Sequence, residues 1–187
     1  MNEFELIQDL RNGNEQAFKT LVETYQDLVY NTAIGIVQNA EDAEDVSQEV
    51  FIRIFRSINS FKGESKLSTW IYRITTSCAL DLIRSRKSKK RFAFLQRLFG
   101  ENNEPVYEVP DFNHPGVALD QKENAAKLFK AIDQLPESQK VAFTLHKLED
   151  LSYQEISEVM QTSVSAVESL MHRAKQNLKK ILEKDIS

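Results

Sequence analysis

Residues 40–58 read AEDAEDVSQEVFIRIFRSI, and their pattern decides the fold class. The apolar side chains recur at intervals of three and four, which places them on one side of a helix: Ala43, Val46, Val50 and Ile54. The opposite side is mostly acidic and polar: Asp45, Gln48, Glu49 and Ile52. Such a face is usually only solvated. An apolar residue such as Ile52, ringed by polar ones, is instead typical of a protein-binding surface.

Helical periodicity of this kind covers most of the chain, and no strand-like alternation competes with it. The predicted helices span about 3–11, 15–37, 40–58, 67–90, 117–133, 137–147, 152–160 and 164–182. Between residues 98 and 120 lie three of the four prolines, which favours an extended linker. The fold class is therefore all-α, with a helical domain at 1–97 and a second at 121–187 joined by that flexible linker.

Charge is sorted into blocks along the chain. Residues 1–52 carry 2 basic and 11 acidic side chains, whereas residues 53–97 carry 12 basic and 2 acidic ones. Residues 98–120 carry 5 acidic side chains and no basic one, and the remainder balances at 10 against 10. The basic block is suited to a phosphate backbone. The acidic block would repel DNA, so the pattern indicates two partners of different kinds.

Several classes of protein are disfavoured by composition. No apolar run approaches the roughly 20 residues that a membrane span requires. The first residues lack the basic start and apolar stretch of a signal peptide. The lone cysteine, Cys78, lies in the apolar stripe of the helix at 67–90 and is most simply a core residue. We therefore expect a cytoplasmic protein with no metal site and no cofactor.

Residues 153–172 fit a helix-turn-helix, in which the first helix shields a second that enters the major groove. The second helix offers these candidates for groove contacts: Ser165, Ala166, Glu168, Ser169, His172 and Arg173. Glu168 has two interpretations. We favour a capping box with Ser165, in which the carboxylate turns back on the helix start. The alternative is that it accepts a hydrogen bond from a cytosine amino group.

The helix predicted at 67–90 is also two-sided. One side carries an aromatic beside basic residues: Trp70, Arg73, Ser77, Asp81 and Arg84. This combination suits single-stranded or distorted nucleic acid, where bases stack on rings and phosphates meet cations. Trp70 and Tyr72 are about 200° apart on a helix, so one of them is expected to pack inside.

Several of these segments resemble bacterial extracytoplasmic-function (ECF) sigma factors of the sigma-70 family. Residues 42–51 (DAEDVSQEVF), 60–63 (SFKG), 68–74 (STWIYRI) and Asp81 resemble the second conserved region of that family. Leu135-Pro136, residues 151–156 (LSYQEI) and residues 163–173 resemble its fourth region. The resemblance spans nearly the whole chain, with both regions in order.

The resemblance implies a role for each candidate surface. It implies that the β′ coiled coil of core RNA polymerase is bound by Asp45, Gln48, Glu49 and Ile52. It also implies contact with the β subunit. It implies that the −10 element is recognised and melted by Phe61, Lys62, Gly63, Lys66, Trp70, Arg73, Ser77 and Arg84. It implies that the −35 element is read by Ser165, Ala166, Glu168, Ser169, His172 and Arg173. It also predicts an anti-sigma factor, and no catalytic activity.

The chain departs from the family pattern at a few positions. Position 77 is commonly asparagine in the family and is serine here, and Glu168 and Leu170 replace frequent basic residues. The acidic linker has two interpretations: a spacer kept extended by self-repulsion, or a mimic of RNA in the polymerase exit path, which we favour.

Two rival functions fit these residues less well. A stand-alone helix-turn-helix regulator would leave the acidic face around Ile52 unexplained. An enzyme such as a nuclease is disfavoured because the three histidines are scattered and no nucleophile is paired with a base.

Overall fold

The computed structural model of the chain describes residues 2–99 and 127–184, with side chains as far as residue 89 in the first segment. The described residues form helices joined by short connections, and none of them lies in a strand. The all-α prediction is confirmed. Most of the predicted linker, and residues 117–126 of the helix predicted at 117–133, lie outside the described residues.

The described N-terminal domain contains four α-helices: α1 (Glu3–Arg11), α2 (Glu15–Val37), α3 (Ala40–Ser57) and α4 (Leu67–Phe99). A single 3-10 turn, Ile58–Ser60, follows α3. Asparagine side chains cap the first three, since Asn2, Asn14 and Asn39 each accept a hydrogen bond from an N–H of the first turn. Helices α2, α3 and α4 pack against one another. The predicted stripe of α3 is the buried one: Ala43, Val46, Val50 and Ile54.

The C-terminal domain consists of a helix whose described part covers residues 127–133 (α5), followed by α6 (Glu137–Lys147), α7 (Tyr153–Met160) and α8 (Val164–Lys184). A capping box begins α7, because Ser152 accepts from the Glu155 N–H while the Glu155 carboxylate accepts from the Ser152 N–H. Helix α8 packs on both α6 and α7.

The two domains share a hydrophobic core. Helix α2 contacts α6 and helix α4 contacts α7, so the buried cluster runs without interruption from one domain into the other. Its fully buried side chains include Leu21, Ile36 and Ile71 from the first domain and Leu145, Ile156 and Met171 from the second. Sequence reasoning expected two helical domains but did not expect them to be packed together.

Three features of the described residues bear on function classes. Among the described helices, none is long and apolar enough to cross a membrane. Cys78 is 4% exposed, in agreement with its predicted place in the core, and its burial raises the pKa of the thiol to about 11. Within the described ranges, histidine, cysteine and acidic side chains do not cluster into a group that could hold a metal ion.

Candidate protein-binding and nucleic-acid interfaces

The outer face of α3 is open to solvent. Asp45 and Gln48 are exposed, Glu49 is half-buried, and Ile52 is 43% exposed. Phe55, one turn further on, is 54% exposed. Its ring and that of Phe18 form a T-shaped pair with ring centres 5.4 Å apart. Sequence reasoning missed Phe55, although its spacing of three from Ile52 could have found it. The structure therefore brings the four predicted residues together and adds a second apolar side chain.

A short ion-pair network lies beside this face. The Arg53 guanidinium donates to Glu49 at 2.7 Å and to Asp81 of α4 at 3.3 Å. The hydrogen bond to Glu49 holds the pKa of Arg53 above its ordinary value. Arg53 therefore orients the carboxylate of Glu49 at the edge of the acidic face.

The side of α4 that carries Trp70 lines a cleft of about 480 Å³. The walls of this cleft include Arg53 and Arg56 from α3, Trp70, Arg73 and Ser77 from α4, and Gln161 from the C-terminal domain. Tyr72 is only 7% exposed, which confirms that one of the two aromatics packs inside. Guanidinium groups beside an indole ring are suited to a nucleic-acid strand.

The loop before α4 is partly anchored and partly free. Phe61 is only 4% exposed, and the centre of its ring lies 5.2 Å from that of Trp70. Its backbone carbonyl accepts a 2.6 Å hydrogen bond from the Arg11 guanidinium. Lys62 and Gly63 are exposed, and Gly63 has a φ of 75°, a conformation that favours glycine. The tip of the loop is thus open to a ligand, whereas the Phe61 side chain supports it from within.

Three cations of the predicted −10 surface have partners in the C-terminal domain. Arg73 donates two hydrogen bonds, of 3.1 and 2.8 Å, to the backbone carbonyl of Glu158. Arg84 donates to the Glu137 carboxylate at 3.0 Å, and Lys66 lies 3.9 Å from that of Glu155. Burial raises the pKa of Glu137, but the hydrogen bond and charge of Arg84, joined by Lys87, outweigh it and lower the pKa overall.

Arg86, in the basic run that follows, has a structural partner within its own domain. Its guanidinium binds both carboxylate oxygens of Asp42, a residue only 3% exposed near the start of α3. This bidentate pair ties α3 to α4.

Helices α7 and α8 form the predicted helix-turn-helix. On α8, Ser165, Glu168, Ser169, His172 and Arg173 are exposed and Ala166 is half-buried. The Arg173 guanidinium donates to the backbone carbonyl of Ser169 at 3.1 Å, along the outer face of the helix. The candidates therefore share a surface that a DNA groove could reach.

The predicted capping box at Ser165 is wrong. Helix α8 begins at Val164, and Ser163 provides the cap, since its hydroxyl accepts from the Ala166 N–H at 3.1 Å. Glu168 therefore lies beyond the first turn, too far from the helix start to close a box, and its carboxylate is exposed.

Comparisons with known proteins agree with this arrangement. The family described as "Sigma-70 region 2" matches residues 21–89, and "Sigma-70, region 4" matches residues 125–178. The chain is similar in fold to the structure of CnrH in complex with the cytosolic domain of CnrY (TM-score 0.69, 20% identity, 98% of each chain). It is also similar to the sigma factor RpoE of Bartonella quintana in complex with the anti-sigma factor NepR (TM-score 0.60, 22% identity, 89% of this chain and 96% of that one).

Sequence relatives extend over nearly the full length. The chain is 32% identical to the RNA polymerase sigma-H factor of Pseudomonas aeruginosa, over 96% of this chain and 93% of the relative. It is 32% identical to the ECF RNA polymerase sigma factor SigW of Bacillus subtilis, over 94% of each. With the ECF sigma-E factor of Escherichia coli it shares 31% identity, over 91% of this chain. The chain therefore belongs to the ECF sigma factors of the sigma-70 family.

Proposed function

We propose that this sigma factor works through three surfaces of its own. The outer face of α3 binds core RNA polymerase, the cleft side of α4 with the loop before it binds the −10 element, and the outer face of α8 reads the −35 element. As a family member the chain is a transcription initiation factor rather than an enzyme. The domain limits at 1–97 and 121–187 also belong to this proposal, as does action in the cytoplasm.

The observation that carries the polymerase assignment is that α3 is buried on one side only. Its inner stripe is fully buried, so packing among the described helices does not require the outer face. That face nevertheless exposes Ile52 and Phe55 beside the carboxylates of Asp45 and Glu49. Exposed apolar side chains bordered by charge are typical of a protein-binding surface, which a stand-alone DNA-binding regulator would not need.

A second protein partner is part of the proposal. Two similar solved structures contain a sigma-type chain with a bound partner, CnrY in one and the anti-sigma factor NepR in the other. An anti-sigma factor that covers the α3 or α4 surface of this chain would keep it from polymerase or from DNA.

Charge reversal on α3 tests the polymerase assignment. We expect Asp45→Lys with Glu49→Lys to weaken binding to core polymerase by about 30-fold or more, because a broken interfacial charge contact costs about 2–5 kcal/mol. The measurement is co-purification with core enzyme, together with a thermal melt to verify the fold.

Exposed carboxylates on α2 provide the matched control. Glu23→Lys with Asp27→Lys makes the same change of charge on another exposed helix, and its polymerase binding should match that of the parent. Equal binding by the α3 variant and this control would contradict the assignment.

A further inference from the structure

Helix α1 bonds to the loop that precedes α4 at both ends of that loop. The Arg11 guanidinium donates a 2.6 Å hydrogen bond to the backbone carbonyl of Phe61, where the loop begins. The Glu3 carboxylate accepts a 3.2 Å hydrogen bond from the N–H of Leu67, where the loop ends and α4 starts. A single helix therefore holds both ends of a segment that the proposed function assigns to the −10 element.

The helix that carries these two side chains is itself well anchored. A capping box between Asn2 and Glu5 begins α1, and one side of the helix is buried in the core through Leu6, Ile7 and Leu10. Glu3 and Arg11 are eight residues apart, which is about 12 Å along the helix axis at about 1.5 Å per residue. The loop ends are thus bonded to two points whose separation is set by α1.

Glu3 supplies an acceptor at the start of α4. The first N–H groups of a helix have no partner within the helix. Lys66 precedes α4, and its side chain can only donate, so it cannot cap the Leu67 N–H. The Glu3 carboxylate accepts from that N–H instead, and its negative charge is favoured at the N-terminal end of the helix dipole.

Arg11 is costly to bury, and the loop is where it forms a bond. Its Nε is buried and has no hydrogen-bond partner among the described residues, whereas its Nη2 bonds the Phe61 carbonyl. A buried polar atom left without a partner destabilises the folded state. An aliphatic side chain would avoid that cost, so the hydrogen bond to the loop is what the guanidinium adds.

The middle of the loop is open, in contrast to its ends. Lys62, Gly63 and Glu64 are exposed, and a Cβ atom added to Gly63 would meet no described atom within 4 Å. Contacts within the protein therefore restrain the tip less than the ends. A binding segment that is held in one conformation loses less entropy on binding and selects its ligand more sharply.

We propose that α1 is a positioning element for −10 recognition, in which Arg11 and Glu3 hold residues 62–66 in the conformation that selects among DNA bases. This inference rests on the proposed function of that loop. Both residues act through the loop backbone, so they are positioning residues. Release of either end should reduce base preference at the −10 element and leave that at the −35 element unchanged.

A promoter library tests the inference on the complete holoenzyme. Core polymerase with the parent or a variant transcribes DNA randomised at both elements, and a barcode in each transcript identifies its promoter. Arg11→Met removes the donor but keeps an apolar stem, and Glu3→Ala removes the acceptor. Arg11→Lys and Glu3→Gln keep a donor and an acceptor, so they should restore most of the preference. Because Glu3 is exposed, its variants are expected to fold, and a thermal melt verifies each protein.

We expect Arg11→Met and Glu3→Ala to lower discrimination among −10 bases by about fivefold or more, which is the contribution of one well-placed base contact. The matched controls are Lys19→Met and Glu15→Ala, which remove an exposed cation and a first-turn carboxylate from α2. Both controls should keep the base preferences of the parent at the two elements.

Two results would overturn the inference alone. One is lower transcription from all promoters with unchanged −10 preference, because α1 would then only support the fold. The other is an equal loss of preference at −10 and −35. Lys62→Glu with Lys66→Glu tests the loop itself, since the new carboxylates repel phosphate. If this variant transcribes like the parent with the same −10 preference, the proposed function of the loop fails and the inference with it. If it is defective while Arg11→Met and Glu3→Ala match the parent, only the inference fails.

Discussion

Glu149 is a partly buried carboxylate whose charged form is incompletely hydrogen-bonded. One of its oxygens accepts a hydrogen bond from Tyr72, while the other is buried without a hydrogen-bond partner. Burial raises the pKa of Glu149; the Tyr72 hydrogen bond opposes that shift, and the nearby Asp150 adds to it. A carboxyl whose pKa is raised by folding destabilises the folded state whenever it is ionised.

Replacement of Glu149 by glutamine should therefore stabilise the protein at neutral pH. The amide oxygen can still accept from Tyr72, and a partly buried charge is removed. We expect a gain below about 1 kcal/mol, since the group is half-exposed and screened by solvent. The gain should be complete above the raised pKa and vanish as the pH falls below the ordinary value of 4.5. Urea unfolding at about pH 7 and about pH 4 measures it.

The exposed Glu158→Gln variant is the control for this measurement, because that carboxylate is in water before and after folding. A gain for Glu149→Gln that is the same at both pH values would show that the raised pKa is not its cause.

The turn between α7 and α8 closes with a residue in a left-handed conformation. Gln161 has φ 52° and ψ 47°, and its N–H bonds back to the end of α7. A glycine is common at this bend of a helix-turn-helix, and this chain has glutamine there instead. The structure shows that glutamine adopts the same geometry, and an L-residue held there carries a cost of about 1–2 kcal/mol.

Gln161→Gly should relieve that cost. Allowing about 0.5–1 kcal/mol for the extra freedom of glycine in the unfolded chain, we expect about 0.5–1 kcal/mol of stabilisation and a Tm higher by about 1–4 °C. Scanning calorimetry measures the shift. Gln38 is the matched control, since it also has a positive φ of 60°, but its side-chain amide donates a buried hydrogen bond to the Gly35 carbonyl. Gln38→Gly should gain the same relief of backbone strain but lose that hydrogen bond, so its Tm should stay near that of the parent. Equal increases in Tm for the two variants would contradict this account.

The shared core makes the two domains one cooperative unit. Because the buried cluster crosses from α2 and α4 to α6 and α7, neither domain can unfold without exposing apolar surface of the other. Gly35 is the position where a small change most directly separates them.

Gly35→Ala should uncouple the two domains. The added methyl group improves the helix propensity of α2 by about 1 kcal/mol but overpacks against Thr144 and Leu148, which typically costs about 1–3 kcal/mol. We expect the parent to unfold in one transition and the variant in two. Fluorescence of the lone Trp70 follows the N-terminal domain, while far-UV circular dichroism follows both.

Thr24→Ala is the matched control, because it raises helix propensity at an exposed position of α2. Its two probes should give coincident curves. Coincident curves for Gly35→Ala as well would show that the interface tolerates the methyl group.

Local features of the sequence were enough to predict most helices. The limits of α1, α2 and α6 agree with the predicted 3–11, 15–37 and 137–147, because periodicity and nearby caps decide them. Helix α4 instead ends at Phe99, beyond the predicted 90. The basic run after Arg86 continues the helix, since lysine and arginine are good helix formers.

Some features of the candidate surfaces follow from local spacing in the sequence, and others depend on long-range contacts. The faces of α3 and α8 follow from spacing along single helices, so the sequence alone was sufficient to place Ile52 among carboxylates and Arg173 beside Ser169. The pairing of Arg73 with Glu158 joins residues 85 positions apart, and that of Gly35 with Thr144 spans 109. No local period encodes contacts of this length. They arise only when separate helices bury their apolar stripes against one another, so the packing of the two domains was decided by the tertiary structure.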